Sequence, residues 1–292
     1  MDGQRRTDSL DLVERLRWTY RPVLDRPVLI AAFEGWNDAG DAASSAVKWF
    51  GDRWDLTPFA DIDPEEFFDF TSTRPEIRIE DDHRIVDWPT NQFLSGKLPD
   101  TERDVIVLQG VEPQLRWRTF TDIVLEVADS YQASMIVTLG ALLAEVPHSR
   151  PVSVAGTAYD HAVVERLDLE RSRYEGPTGI VGVLHSRCRD AAMSSASLWA
   201  AVPTYVPGAP SPKATLALVE KTAALLDVGV ITTDLEIAAA SYERQINELV
   251  DDDEETRDYV AALEQRHDEA TASDEPGGLI DEVERFLRER GD

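Results

Sequence analysis

Four short apolar runs punctuate the chain: PVLIAAF (27–33), DVIVLQG (104–110), SMIVTLGA (134–141) and SLWAAVPTYV (197–206). They are rich in β-branched or aromatic residues and are closed by Gly or Pro. Such runs predict strands, most of them buried on both faces as in a parallel sheet. FFDF, EIRIE and HRIVDWP (67–89) alternate apolar with polar positions and predict an antiparallel excursion with one wet side.

Helical periodicity fills the intervals. Residues 41–50 follow Asp41 as an N-cap, and 116–130 place Phe120, Ile123, Val124, Val127 and Tyr131 on one face. After GPTG, a second face runs through Val181, Leu184, Cys188 and Ala191. In PSPKATLALVEKTAALLDVG, Ser211 suits a cap, Pro212 the first turn and Gly229 the stop. Alternating β and α elements predict an α/β fold, a mostly parallel sheet flanked by helices.

The pattern changes near Thr232. TDLE (233–236) reads as a capping box, with Thr233 as N-cap and Glu236 as its partner. Leu235, Ala239, Tyr242, Ile246 and Leu249 then step by 4, 3, 4, 3, the seam of a helix packed on a helix. DDDEE (251–255) interrupts the seam, YVAALEQRHDEA resumes it, and SDEPGG (273–278) precedes a last amphipathic piece, LIDEVERFLRER. The expected division is an α/β core over 1–232 and an acidic helical appendage over 233–292, with no internal repeat.

Charge narrows the function classes. The 292 residues carry a formal charge of -27. Phosphate contacts need clustered Lys and Arg. The basic residues here form no run, so nucleic acid and anionic membranes are not expected partners. One cysteine, Cys188, excludes an internal disulfide and a multi-cysteine metal site. Its apolar helical setting suits packing better than nucleophilic chemistry. Without a signal-type apolar region near the start or any stretch of 18 apolar residues, a soluble cytoplasmic protein is expected. No phosphate loop, dinucleotide fingerprint, G-x-S-x-G, H-E-x-x-H or C-x-x-C occurs, so no cofactor or metal is expected.

Four strand-end turns collect the candidate chemistry, as turns at the carboxyl ends of parallel strands often do. FEGWNDAGDAAS brings Glu34, Asn37 and Asp38 to the start of a helix, where a ligand site or a well-capped turn are both open. Its carboxylates disfavour a bare phosphate and suit a cation or a hydroxyl- or amine-bearing ligand. LQGVEPQLRWRTF brings Glu112 and Arg116, a ligand clamp or a satisfied ion pair. Between Pro147 and Pro151 lies His148, an acid/base candidate or a structural histidine. YEGPTGIVGVLHSRC spaces Gly176, Gly179 and Gly182 three apart beside Thr178, which signals close approach by a neighbouring segment or by a ligand.

These segments together resemble the proteasome assembly chaperone 2 family in its bacterial, actinobacterial-type branch. The resemblance rests on VLIAAFEGWNDAGDAAS, GVEPQLRW, LGALLAEVPHSRP, and GPTGIVGVL followed by SLWAAVPTYV. It implies a fold similar to the nucleoside phosphorylase/hydrolase-like group with a C-terminal helical appendage, and a homo-oligomer, a trimer being one form. It also implies protein partners. Related members dock through a C-terminal hydrophobic-Tyr-any motif; LRERGD lacks it, so a direct proteasome link is not carried over. Two functions follow. One is a non-enzymatic oligomeric assembly or binding protein. The other is a small-molecule enzyme for nucleoside- or carboxylate-type ligands in a phosphorylase-like cleft, with Arg116 holding an anion and His148 or a carboxylate moving a proton.

Overall fold

A computed structural model describes residues 15–167, 169 and 175–272. The SDEPGG break and the LIDEVERFLRER piece lie outside them. The four apolar runs form β2 (Val28–Glu34), β7 (Asp104–Val111), β8 (Met135–Ala144) and β10 (Ser195–Pro203). They lie side by side, all parallel, in the order β7-β2-β8-β10. Antiparallel strands extend this centre on both flanks. β6 (Asn91–Lys97), β3 (Thr57–Ile62) and β1 (Leu16–Trp18) follow β7, and β9 (Val154–Thr157) follows β10, making eight strands.

The sheet is apolar on both faces because its central strands are covered on both. Ile30, Ala32, Val105, Val107, Val137 and Leu139 face one core, closed by α1 (Ala42–Arg53) and α5 (Pro212–Leu226). Leu29, Ala31, Phe33, Ile106 and Leu108 face the other, closed by α2 (Trp117–Ser130) and α4 (Ile180–Asp190). A short helix, α3 (His161–Leu167), adds Val163 to the first core. Cys188 is buried in the second core, and desolvation pushes its thiol up to about 12, so it packs rather than reacts.

The excursion differs from its expected form. EIRIE and HRIVD are a separate hairpin, β4 (Glu76–Glu80) and β5 (His83–Asp87). Asp81 and Asp82, both left-handed, make its turn. FFDF is not a strand. Phe67 follows a 3-10 turn, Pro64–Glu66, and its ring meets Phe120 edge-on at 5.5 Å, so a core plug overrides the alternating pattern.

Three caps also differ. Asp41 precedes α1 without a side-chain bond; Asp38 Oδ1 instead accepts the Ala43 and Ser44 N–H groups at 2.7 and 3.1 Å. α5 ends at Asp227, itself left-handed, rather than at Gly229, while Ser211 does accept from Ala214 N at 3.3 Å. The N-cap of α6 (Thr233–Asp251) is Thr232, whose hydroxyl donates to Glu236 at 3.0 Å.

The α6 seam buries Ala239, Tyr242, Ile246 and Val250 and leaves Leu249 exposed. A straight helix advances 3.6 residues per turn, so its stripe drifts off a strict 3.5 repeat within two heptads. α7 (Glu254–Ala272) folds back beside α6, and Tyr242, Ile246, Val250 and Val260 pack with Tyr205 and Val206.

Candidate functional site

β2 ends in a turn whose backbone is clamped to its neighbour. Ala141 N donates to Asn37 O at 2.8 Å, and Asp38 makes a parallel bridge to Ala141. This extends the β2–β8 pairing past the end of β2. Gly40 and Asp41 then take left-handed conformations, at φ 60° and 50°, to swing the chain into α1. Gly40 has room for no side chain, since a Cβ would lie 2.9 Å from Ser211 Cβ. Asp38 is buried by the same clamp. Desolvation pushes its carboxyl above the ordinary range, against the hydrogen bonds from Ser44 and Ala43.

Glu112, just past β7, ties three turns together. Its backbone N–H donates to Glu34 O at 2.8 Å. Its Oε1 accepts from Asn37 Nδ2 and from the N–H of Ile180, the first residue of α4, both at 2.8 Å, and Oε2 accepts from Trp36 N at 3.3 Å. The N-terminus of α4 would attract an anion. Here the chain's own carboxylate supplies one. The glycine spacing has the same origin: a Cβ on Gly179 would sit 2.1 Å from Asn37 Nδ2, and one on Gly182 2.1 Å from Thr178 Oγ1. Neighbouring side chains, not a ligand, occupy that space.

The other candidates lie elsewhere. Glu34 pairs with Lys48 at 2.6 Å on the outer side of α1. Arg116 is left-handed at the start of α2 and pairs at 2.9 Å with Glu66, not with Glu112. Thr178 is exposed, and its hydroxyl lies 3.4 Å from Gly179 O. His148 is buried against the C-terminal helices. Its ring nitrogens meet Tyr205 Oη at 2.7 Å and Asn247 Oδ1 at 2.9 Å, and its carbonyl accepts from Lys213 Nζ at 2.6 Å. Because the Asn247 oxygen only accepts, Nε2 carries the proton and Nδ1 accepts from Tyr205. Burial holds this imidazole below its ordinary pKa, and both nitrogens have partners within the fold. Nearby, Ser149 bonds Glu264, Arg150 clasps Asp268 with two bonds of 2.8 Å, and Lys213 pairs with Glu243. This loop is a latch for α6 and α7.

What remains open is a cleft of about 230 Å³ at the carboxyl ends of β2 and β8. Adjacent β2 and β8 send their chains in opposite directions, towards β7 and β10. That reversal is where open α/β sheets form a crevice. Trp36, Asp38, Asp41, Leu142, Leu143 and Trp199 line it. The strand-end pattern pointed to Asp38 but not to Leu142, Leu143 or Trp199, which look like ordinary strand residues in the sequence. Among the described residues, no group of three or more His, Cys, Asp or Glu is placed to hold a metal ion, and no helix is long and apolar enough to cross a membrane.

The PAC2 family profile matches residues 32–250. A PAC2 family protein from Streptomyces avermitilis is 42% identical, with a TM-score of 0.76 over 80% of this chain and 99% of its own. A proteasome-assembly chaperone homologue from Mycobacterium tuberculosis is 45% identical, with a TM-score of 0.73 over the same shares. A second M. tuberculosis protein, of unknown function, is 26% identical, with a TM-score of 0.83 over 95% of this chain and 97% of its own. No curated protein matches. The turn knot from Asn37 to Ile180 falls inside the matched span, and the chain belongs to the PAC2 family.

Proposed function

We propose that the chain is a non-enzymatic assembly or binding protein of the cytoplasm that works as a homo-oligomer, a trimer included. In this reading the body over 1–232 carries the contact surface, and the helices over 233–292 form an appendage. The 45% identical relative is described as a proteasome-assembly chaperone homologue, and the class of activity taken from it is the holding of protein surfaces.

The β4–β5 hairpin carries this reading. A lone two-stranded hairpin is marginal in water. This one nevertheless projects Ile77 (55% exposed), Ile79 (69%) and cross-strand Val86 (43%) from one face. Such a face favours burial against another chain. We assign that chain as a second copy: among the described residues β4 and β5 pair only with each other, so each leaves an outer strand edge that a copy of the hairpin can extend. Between residues 74 and 88 three arginines stand against five carboxylates, and Arg78 pairs with Glu80 and Asp87.

Light scattering on the full chain and on an Ile77→Lys/Ile79→Lys variant tests the proposal. The wild type is expected at a multiple of 32.6 kDa, and the variant at the monomer mass with a single cooperative melting transition that shows it is folded. A monomeric wild type would refute self-association. A variant of wild-type mass would refute the hairpin as its site.

A further inference from the structure

The hairpin has two outer edges, and they are not equivalent. β4 is exposed along its whole length, whereas Ile85 on β5 is half-buried. Asp81 and Asp82 form a two-residue turn, both left-handed, so the flanking Glu80 and His83 exchange backbone bonds. Alternation then turns the N–H and C=O groups of Glu76, Arg78 and Glu80 inward to β5. Those of Ile77 and Ile79 point outward, and among the described residues no strand takes them.

The charges along β4 select how a copy can meet that edge. In an antiparallel pair about a two-fold axis, with both apolar faces on one side, one residue lies opposite itself. Centred on Arg78, the two arginines face each other and Glu76 faces Glu80. Centred on Ile79, Glu76 faces Asp82. Centred on Ile77, Glu76 faces Arg78 and Arg74 faces Glu80, both on each side of the axis, and no like charges meet. Arg74 and Glu76 are exposed, and among the described residues neither has an ion-pair partner in its own chain. In this register Ile77 exchanges both backbone bonds with its copy, and Ile79 N–H meets the Pro75 carbonyl; only the absent proline N–H goes without. Pairing through β5 about Ile85 would leave Ile77 and Ile79 outside the contact.

We propose that two copies join β4 to β4, antiparallel about a two-fold axis through the Ile77 pair, in one four-stranded sheet with a continuous apolar face of Ile77, Ile79 and Val86. This rests on the self-association proposed above and narrows it to a pair of copies. Exposed ion pairs add little affinity, so they select the register while the backbone bonds and isoleucines hold the contact.

Disulfide trapping of the full chain under mild oxidation tests the pairing, with Ile77→Cys, Ile79→Cys and Ile85→Cys as single variants. Cys188 is buried, and the wild type reports its background. Residues opposed as a bonded antiparallel pair have Cα atoms about 5.5 Å apart, within the span of a disulfide. Ile77→Cys is expected to run at twice 32.6 kDa without reductant, and the other two at the single mass. Trapping at Ile79→Cys or Ile85→Cys, or none at Ile77→Cys, overturns the register. Light scattering on the wild type separates the two readings. A monomer ends self-association altogether, whereas an oligomer with the wrong trapping pattern ends only this pairing. Arg74→Glu gives a check without cysteine: it should weaken association by about tenfold, and Arg84→Glu, the same change of charge on β5, by far less. Equal weakening by the two overturns the pairing.

Discussion

His185 lies in α4 with its ring stacked on Tyr159, the centroids 4.5 Å apart, and among the described residues its Nδ1 has no hydrogen-bond partner. Burial, aided by the nearby Arg189 charge, drives its pKa down to about 4 from the ordinary 6.5. The folded chain therefore holds it neutral, while the unfolded chain protonates it near 6.5. Its contribution is fully present above that value and is lost as pH falls from about 6.5 to 4, on the order of 3 kcal/mol. Urea midpoints measured across this window should fall, and His185→Phe should flatten the slope. His148 shifts in the same direction for the same reason, and at this scale the sequence was least informative. It placed His148, Glu112 and Arg116 at strand ends, but partner choice is a tertiary matter. Glu112 reaches Ile180, 68 residues onward, and His148 reaches Asn247, 99 residues onward.

Elements were more legible than contacts. The four central strands and their helices followed from apolar runs and 3.6-residue periodicity, because burial on both faces writes itself directly into composition. Edge strands did not stand out. β3, TPFADI, contains Pro and Asp, and β9 is four residues long, so neither shows a period. FFDF misled because two adjacent phenylalanines serve packing rather than pleat. The latch on α7 belongs to this scale as well. Arg150 and Asp268 are partly exposed, and such pairs contribute about 0–1 kcal/mol. Arg150→Ala should leave the melting curve nearly unchanged while amide exchange in α7 speeds by about three- to fivefold and the central strands keep their protection. Hydrogen-exchange mass spectrometry reads both.

For the whole molecule, charge is the dominant variable. A formal charge of -27, with 29 basic residues against 56 acidic, leaves close to half of the carboxylates without a basic partner even at one-to-one pairing and sets copies against one another. Screening shortens that repulsion to about 10 Å at 0.1 M salt and about 3 Å at 1 M. Self-association through the hairpin should therefore tighten as NaCl rises, and sedimentation of a dilution series at low and high salt measures it. A contact held by ion pairs would loosen instead. The latch has a consequence in time as well. A chain leaves the ribosome from its N-terminus, and Arg150 emerges 118 residues before Asp268. During synthesis the 145–150 loop and Tyr205 wait bare until α6 and α7 appear. The seating of this loop thus marks the moment when the body and its C-terminal helices have both been made.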